Sequence, residues 1–99
     1  MDAETCYKQA SYFEHLGIYH HDVTMLLAAA SLFLVVFKAY GMSTTGTSYQ
    51  LDMLRAICRG EIRGGILLAA KLVDSIGIRA ERMREILKPG RETVVKAEF

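Results

Sequence analysis

Residues 23–40 read VTMLLAAASLFLVVFKAY, and no other stretch constrains the fold as much. Thr24, Ser31 and Lys38 are its polar members, and they stand seven apart. On a helix that spacing gives one thin polar stripe and leaves the other sides apolar, so the helix must be covered by protein or by lipid. A membrane span needs about 20 apolar residues. The window here, residues 23–37, is fifteen residues long with Thr24 and Ser31 inside it, bounded by His20, His21 and Asp22 on one side and by Lys38 on the other. The window is short for a bilayer and the remaining helices are amphipathic and charged. A buried helix in a cytoplasmic protein is therefore expected, not a membrane segment.

Such a helix is about 27 Å long. A chain of 99 residues forms one domain with one core, and its other helices are short. Copies of the same chain would supply the missing cover, because obligate homo-oligomer interfaces resemble a core cut in half. The run Ala28, Ala29, Ala30, Ser31 allows close helix approach. Leu27, Phe33, Leu34, Val36 and Phe37 supply the knobs, and Tyr40 stands at the end. These six are the expected oligomer interface.

The apolar share of 52 % argues against disorder, and a net charge of +1 gives no overall attraction to nucleic acid or acidic membranes. The charges are unevenly placed. Residues 1–50 carry two cations against four anions, and residues 51–99 carry ten against seven. Eight of the nine aromatics lie at or before Tyr49. The front half reads as core and interface, the back half as a solvated or anion-facing surface. Cys6 and Cys58 have no CxxC spacing and are read as reduced thiols. Asp2 and Glu4 stand where a secretory signal would place cations.

An all-α fold of about five helices around the central apolar helix follows, with a single domain over residues 1–90 and a flexible C-terminal arm over 91–99. Asp2 is a plausible N-cap for a first helix over 3–16, with Gly17 as its stop. Asp22 caps the apolar helix and Gly41 ends it. Thr47 and Gln50 are spaced as a capping box, which starts a third helix near Ser48. Three glycines in residues 59–65 break the chain. A fourth helix runs to Ile76 and stops at Gly77. A fifth spans about 79–88 and ends at Pro89-Gly90.

Residues 69–88 resemble a helix-turn-helix. A glycine, Gly77, sits at the ninth place, and Leu72, Ile76, Ile78, Met83 and Ile86 fill the apolar positions. Val73 departs from the small residue usual at the fifth. The resemblance implies that Arg79, Arg82, Arg84 and Lys88 face DNA, as in a dimeric regulator. Glu81 and Glu85 would then face the phosphates too.

The loop 41–48, GMSTTGTS, has the glycine spacing of a phosphate loop, but Thr47 stands where the lysine belongs and the loop follows a helix. A nucleotide hydrolase is excluded on that ground. An anion or nucleotide held by Ser43, Thr44, Thr45, Thr47 and Ser48 with Arg55 and Arg59 is the milder form. Glu14, His15, His20, His21 and Asp22 lack metal-ligand spacing. Cys6 and His15 lie roughly 13 Å apart along one helix and cannot form a nucleophile–base pair. Arg55 and Arg59 near Cys58 could lower its pKa.

No catalytic residue, metal or cofactor is expected. The leading expectation is a non-catalytic helical homo-oligomer that binds another macromolecule, as an inhibitor, adaptor or assembly factor. The DNA-binding regulator and the phosphate- or nucleotide-sequestering protein stand as alternatives.

Overall fold

Two aspartates start the first two helices. Asp2 Oδ1 accepts from Thr5 N–H at 2.7 Å and opens α1, Ala3–Tyr19. Asp22 Oδ1 accepts from Thr24 N–H at 2.9 Å and Met25 N–H at 3.3 Å and opens α2, Val23–Ala39. Each carboxylate satisfies N–H groups that the helix leaves unpaired and favours its positive end. Next come α3, Thr45–Cys58, and α4, Gly65–Leu87. The computed structural model of the chain describes residues 2–87. The arm expected at 91–99, the Pro89-Gly90 stop and Lys88 lie outside the described residues.

The all-helical class holds, with no strand among the described residues. The helices number four, not five, because the expected fourth and fifth are one. Val73, Ile76 and Ala80 keep a single buried stripe running through Gly77, so packing carries the helix past a residue of poor helix propensity. No described helix is long and apolar enough to cross a membrane.

The apolar helix α2 touches all three others, while α1 and α3 make no contact with each other. The pair α2 and α4 therefore has α1 and α3 as its two flanks. Leu26, Ala29, Ala30, Phe33, Val36 and Phe37 are buried. At 3.6 residues per turn they fall within about a third of the circumference, opposite Thr24, Ser31 and Lys38. The cover of α2 is thus one-sided. The thin polar stripe faces outward, with Ala28 and Val35 interleaved and with Leu27, Leu32 and Leu34 partly exposed on its margins.

The first three helices end alike. After α1, His21 N–H donates to the Ile18 carbonyl at 3.3 Å and Asp22 N–H to the Gly17 carbonyl at 2.8 Å. After α2, Gly41 and Met42 donate to Lys38 and Phe37; after α3, Gly60 and Glu61 donate to Ile57 and Ala56. This is the Schellman pattern, which needs a left-handed residue just past the cap. Gly41 (φ 71°) and Gly60 (φ 76°) fill that place in two cases and His21 (φ 54°) in the first. Gly17, expected as the stop, lies two residues inside α1 instead. A Cβ there would come within 2.8 Å of Leu26 Cγ and 3.1 Å of Leu26 N, so its missing side chain lets α1 and α2 touch.

Two substitutions separate these glycine uses. Gly17→Ala gains about 1 kcal/mol of helix propensity but forces the crossing apart. Overpacking costs about 1–3 kcal/mol, and backbone at the contact leaves little room to yield. A net loss is expected, seen as a lower melting temperature, roughly 4–8 °C per kcal/mol at this size. His21→Gly removes a left-handed strain of about 1–2 kcal/mol, less the entropic cost of glycine, and should raise the melting temperature.

Candidate functional site

Glu4, Tyr7, Ser11 and Glu14 recur at spacings of three and four along α1, and Asp74, Gly77, Glu81 and Arg84 do the same along α4. Each set makes one stripe. The stripes meet antiparallel, each step along α1 matched by a step back along α4. At one end Arg84 Nε and Nη2 donate to the two oxygens of Glu4, both at 2.7 Å. The guanidinium also lies 4.8 Å from the centre of the Tyr7 ring. One step on, Tyr7 Oη donates to Glu81 Oε2 at 2.6 Å. At the far end Glu14 stands beside Asp74, and the two repel.

The ionisation states follow this gradient. The Glu4 carboxylate holds the Arg84 guanidinium above its usual range. Burial, then the bond to Glu81 and its charge, push the Tyr7 phenol up to about 12, so it stays a donor at every physiological pH. Burial raises the Glu14 carboxyl first and the Asp74 charge second, with His15 acting the other way. His15 Nδ1–H donates to the Ser11 carbonyl at 2.7 Å, which fixes the ring against its own helix.

Between the stripes lies a cleft of about 210 Å³ lined by Tyr7, Glu14, Phe33, Asp74, Gly77 and Glu81, with Ser11, His15 and Ile78 also on its walls. Phe33 is only 1 % exposed and forms the floor. Gly77 keeps the space open: a Cβ there would sit 3.2 Å from Phe33 Cζ and 3.4 Å from Glu14 Oε1.

The residues singled out in the sequence are dispersed. Positions 75–78 continue α4, so the corner of a helix-turn-helix does not form. Arg79 and Arg84 turn into the bundle. Arg79 Nη2 donates to Thr47 Oγ1 at 3.1 Å and to Gln50 Oε1, and its guanidinium lies 5.6 Å from the Phe37 ring. Arg82 is exposed, and Lys88 is outside the described residues.

In the Ser/Thr loop, Thr44 occupies the N-cap position of α3 without a side-chain capping bond, and the helix starts at Thr45, three residues earlier than expected. Thr47 is 1 % exposed and, with Gln50, holds Arg79 instead of forming a capping box. The Ser43 and Thr45 hydroxyls bond each other at 3.3 Å, and Ser48 is exposed. Arg55 pairs with Asp52 at 3.0 Å and Arg59 with Glu61 at 2.6 Å, so neither converges on the loop.

Of the expected interface, Phe33, Val36 and Phe37 are enclosed by their own chain and have no surface to offer a second one. Leu27, Leu34 and Tyr40 remain partly exposed. The Cys58 thiol is pushed up, by desolvation first and Asp22 second, against the lowering expected from its arginines; only Arg59 acts in that direction. Among the described residues no group of three or more His, Cys, Asp or Glu side chains could hold a metal ion. The cleft residues Tyr7, Asp74 and Gly77 went unread as a group. The matched three-and-four spacing on two distant helices is the signal that unites them.

Comparison with protein families, with curated proteins and with solved structures gives no match.

Glu14 supplies a pH test. Its carboxyl binds its proton more tightly in the folded state than in the unfolded one. That contribution to stability is complete below the unfolded value and is lost as pH rises through the folded one. Glu14→Gln keeps the size and removes the charge, so it should raise the melting temperature at neutral pH. The gain over wild type should shrink to nothing near the ordinary glutamate value of about 4.3. An equal gain at every pH would show that charge is not its cause.

Proposed function

We propose that this chain is a non-catalytic helical protein that works by binding another macromolecule, as an inhibitor, adaptor or assembly factor, and that it assembles with itself through the outward side of α2. The carrying observation is the half-covered apolar helix. Thr24, Ala28, Ser31, Val35 and Lys38 recur at alternating spacings of four and three on that side, the register of a coiled-coil seam. Val35 is 46 % exposed. Ala28 and Ser31 at the middle of the seam are small and let two backbones approach, while Leu27, Leu32 and Leu34 stand at the margins as knobs.

The seam favours a particular pairing. Ser31 is its midpoint. An antiparallel copy crossing at Ser31 brings Lys38 of one chain to the Thr24 end of the other, beside the Asp22 cap. Charge is then complementary at both ends, and the two-fold arrangement closes on itself. The buried Cys6 and the raised Cys58 thiol speak against a thiol nucleophile, and two unpaired cysteines fit a reducing cytoplasm.

Light scattering at tens of micromolar is expected to give the mass of a dimer or larger assembly. Val35→Glu buries a carboxylate in the seam, opposite Ala28 of the second copy, and should weaken assembly at least tenfold, about 1.4 kcal/mol. Its circular dichroism should stay native, because Val35 is already exposed. Phe33→Glu should unfold the chain instead. A wild-type monomer at that concentration removes the self-association proposal.

A further inference from the structure

We propose that the cleft between α1 and α4 binds a small aliphatic amine in its protonated form. The site is distinct from the outward side of α2 and does not depend on self-association.

The first ground is the shape and floor of the cleft. Its volume of about 210 Å³ falls below the roughly 300–1,000 Å³ of sites for drug-sized ligands. It is open to solvent at Asp74 and Glu81 and closed beneath by Phe33. Tyr7 and Phe33 meet there edge to face at 6.0 Å. Aromatic walls attract cations through their quadrupoles and shed water from methylene groups. The Tyr7 ring already carries the Arg84 guanidinium.

The second ground is charge. Along the α1–α4 register the first level pairs opposite charges, the second pairs a phenol with a carboxylate, and the fourth, past Ser11 and Gly77, brings two carboxylates together. Among the described residues Glu14 and Asp74 have no hydrogen bond or ion pair of their own. Glu14 is half-buried, where an uncompensated carboxylate is costly. With Glu81, three carboxylates and one histidine face a cavity with an apolar floor.

The third ground separates organic cations from metal ions. A divalent metal needs several oxygens converging on one point. These carboxylates do not form such a group. Asp74 and Glu81 stand seven residues apart on α4, about 10 Å along its axis. Charges spread along a groove suit an alkyl chain with an ammonium at each end, one between Glu14 and Asp74 and the other near Glu81. Gly77 leaves the floor clear for the chain between them.

An alkylammonium can come from a free polyamine or from a lysine side chain, and titration separates the two. The full chain at neutral pH and low salt is titrated calorimetrically with spermidine, with putrescine, with Nα-acetyl-lysine amide and with magnesium chloride. Saturable one-site binding of a free amine is expected, at least tenfold weaker in Glu14→Gln and in Asp74→Asn and unchanged in Glu61→Gln, whose carboxylate pairs with Arg59 elsewhere. Saturation by the lysine amide alone would support the same chemistry and assign its source to a protein. Gly77→Ala should also weaken binding, and the melting temperature of each variant reports whether it is folded. No saturable binding of any amine would overturn the proposal. So would equal heats with magnesium, or full affinity in a folded Glu14→Gln. None of these results depends on the oligomeric state.

Discussion

The ring of Phe33 is where α1, α2 and α4 are held together. It belongs to α2, takes the Tyr7 ring of α1 edge-on at 6.0 Å, and lies against Gly77 of α4, where even a methyl group would come within 3.2 Å. A phenylalanine is large enough to touch two neighbouring helices at once. The glycine opposite it must then be bare, and the tyrosine beside it must find a partner for its hydroxyl, which it does in Glu81. The cleft is the space left over where this close three-helix contact opens toward the α1–α4 side. Site and core are thus one construction, and the small size of the protein leaves no separate layer between them.

Glycine explains most of the difference between what the sequence predicts and what the chain does. A glycine can supply a left-handed turn or a gap for a neighbour, and both uses look alike in a string of letters. Gly41 and the break over residues 59–65 are turns and were legible, since each follows an apolar repeat that ends there. Gly17 and Gly77 are gaps. Leu26 fills the first and Phe33 the second, and both fillers sit far away in sequence or on another helix. Reading Gly77 as a stop divided α4 in two and created the helix-turn-helix resemblance. The apolar residues that supported the resemblance are the same stripe that keeps α4 whole.

The polar residues mislead for a related reason. Local rules assign Thr47 and Gln50 to a capping box and Arg79 to an outer surface. The three are bound to one another across two helices. No local spacing connects positions 47 and 79. The arginines that are local to the loop, Arg55 and Arg59, are drawn to acids two or three residues away. Asp2 and Asp22 were legible as caps because a cap is a contact within three residues. The polar stripe of α2 was legible too, although its consequence was not. The sequence showed an apolar helix needing cover, while folding satisfies that need on one side only and leaves the seam outward.

The Glu14–Asp74 end of the α1–α4 contact is where local consistency fails. Elsewhere along that contact Arg84 is paired with Glu4 and Tyr7 with Glu81, and on the surface Arg55 and Arg59 are paired with Asp52 and Glu61. Small domains hold only about 5–15 kcal/mol of net stability, so a half-buried carboxylate, Glu14, beside the exposed like charge of Asp74 works against a bundle of this length. A single substitution would relieve it: an amide at either position keeps the shape and removes the repulsion. Sequences that depart from local consistency tend to do so where something other than stability is being served. That the departure coincides with the cleft over the Phe33 ring ties the electrostatic cost to a place a cation could occupy.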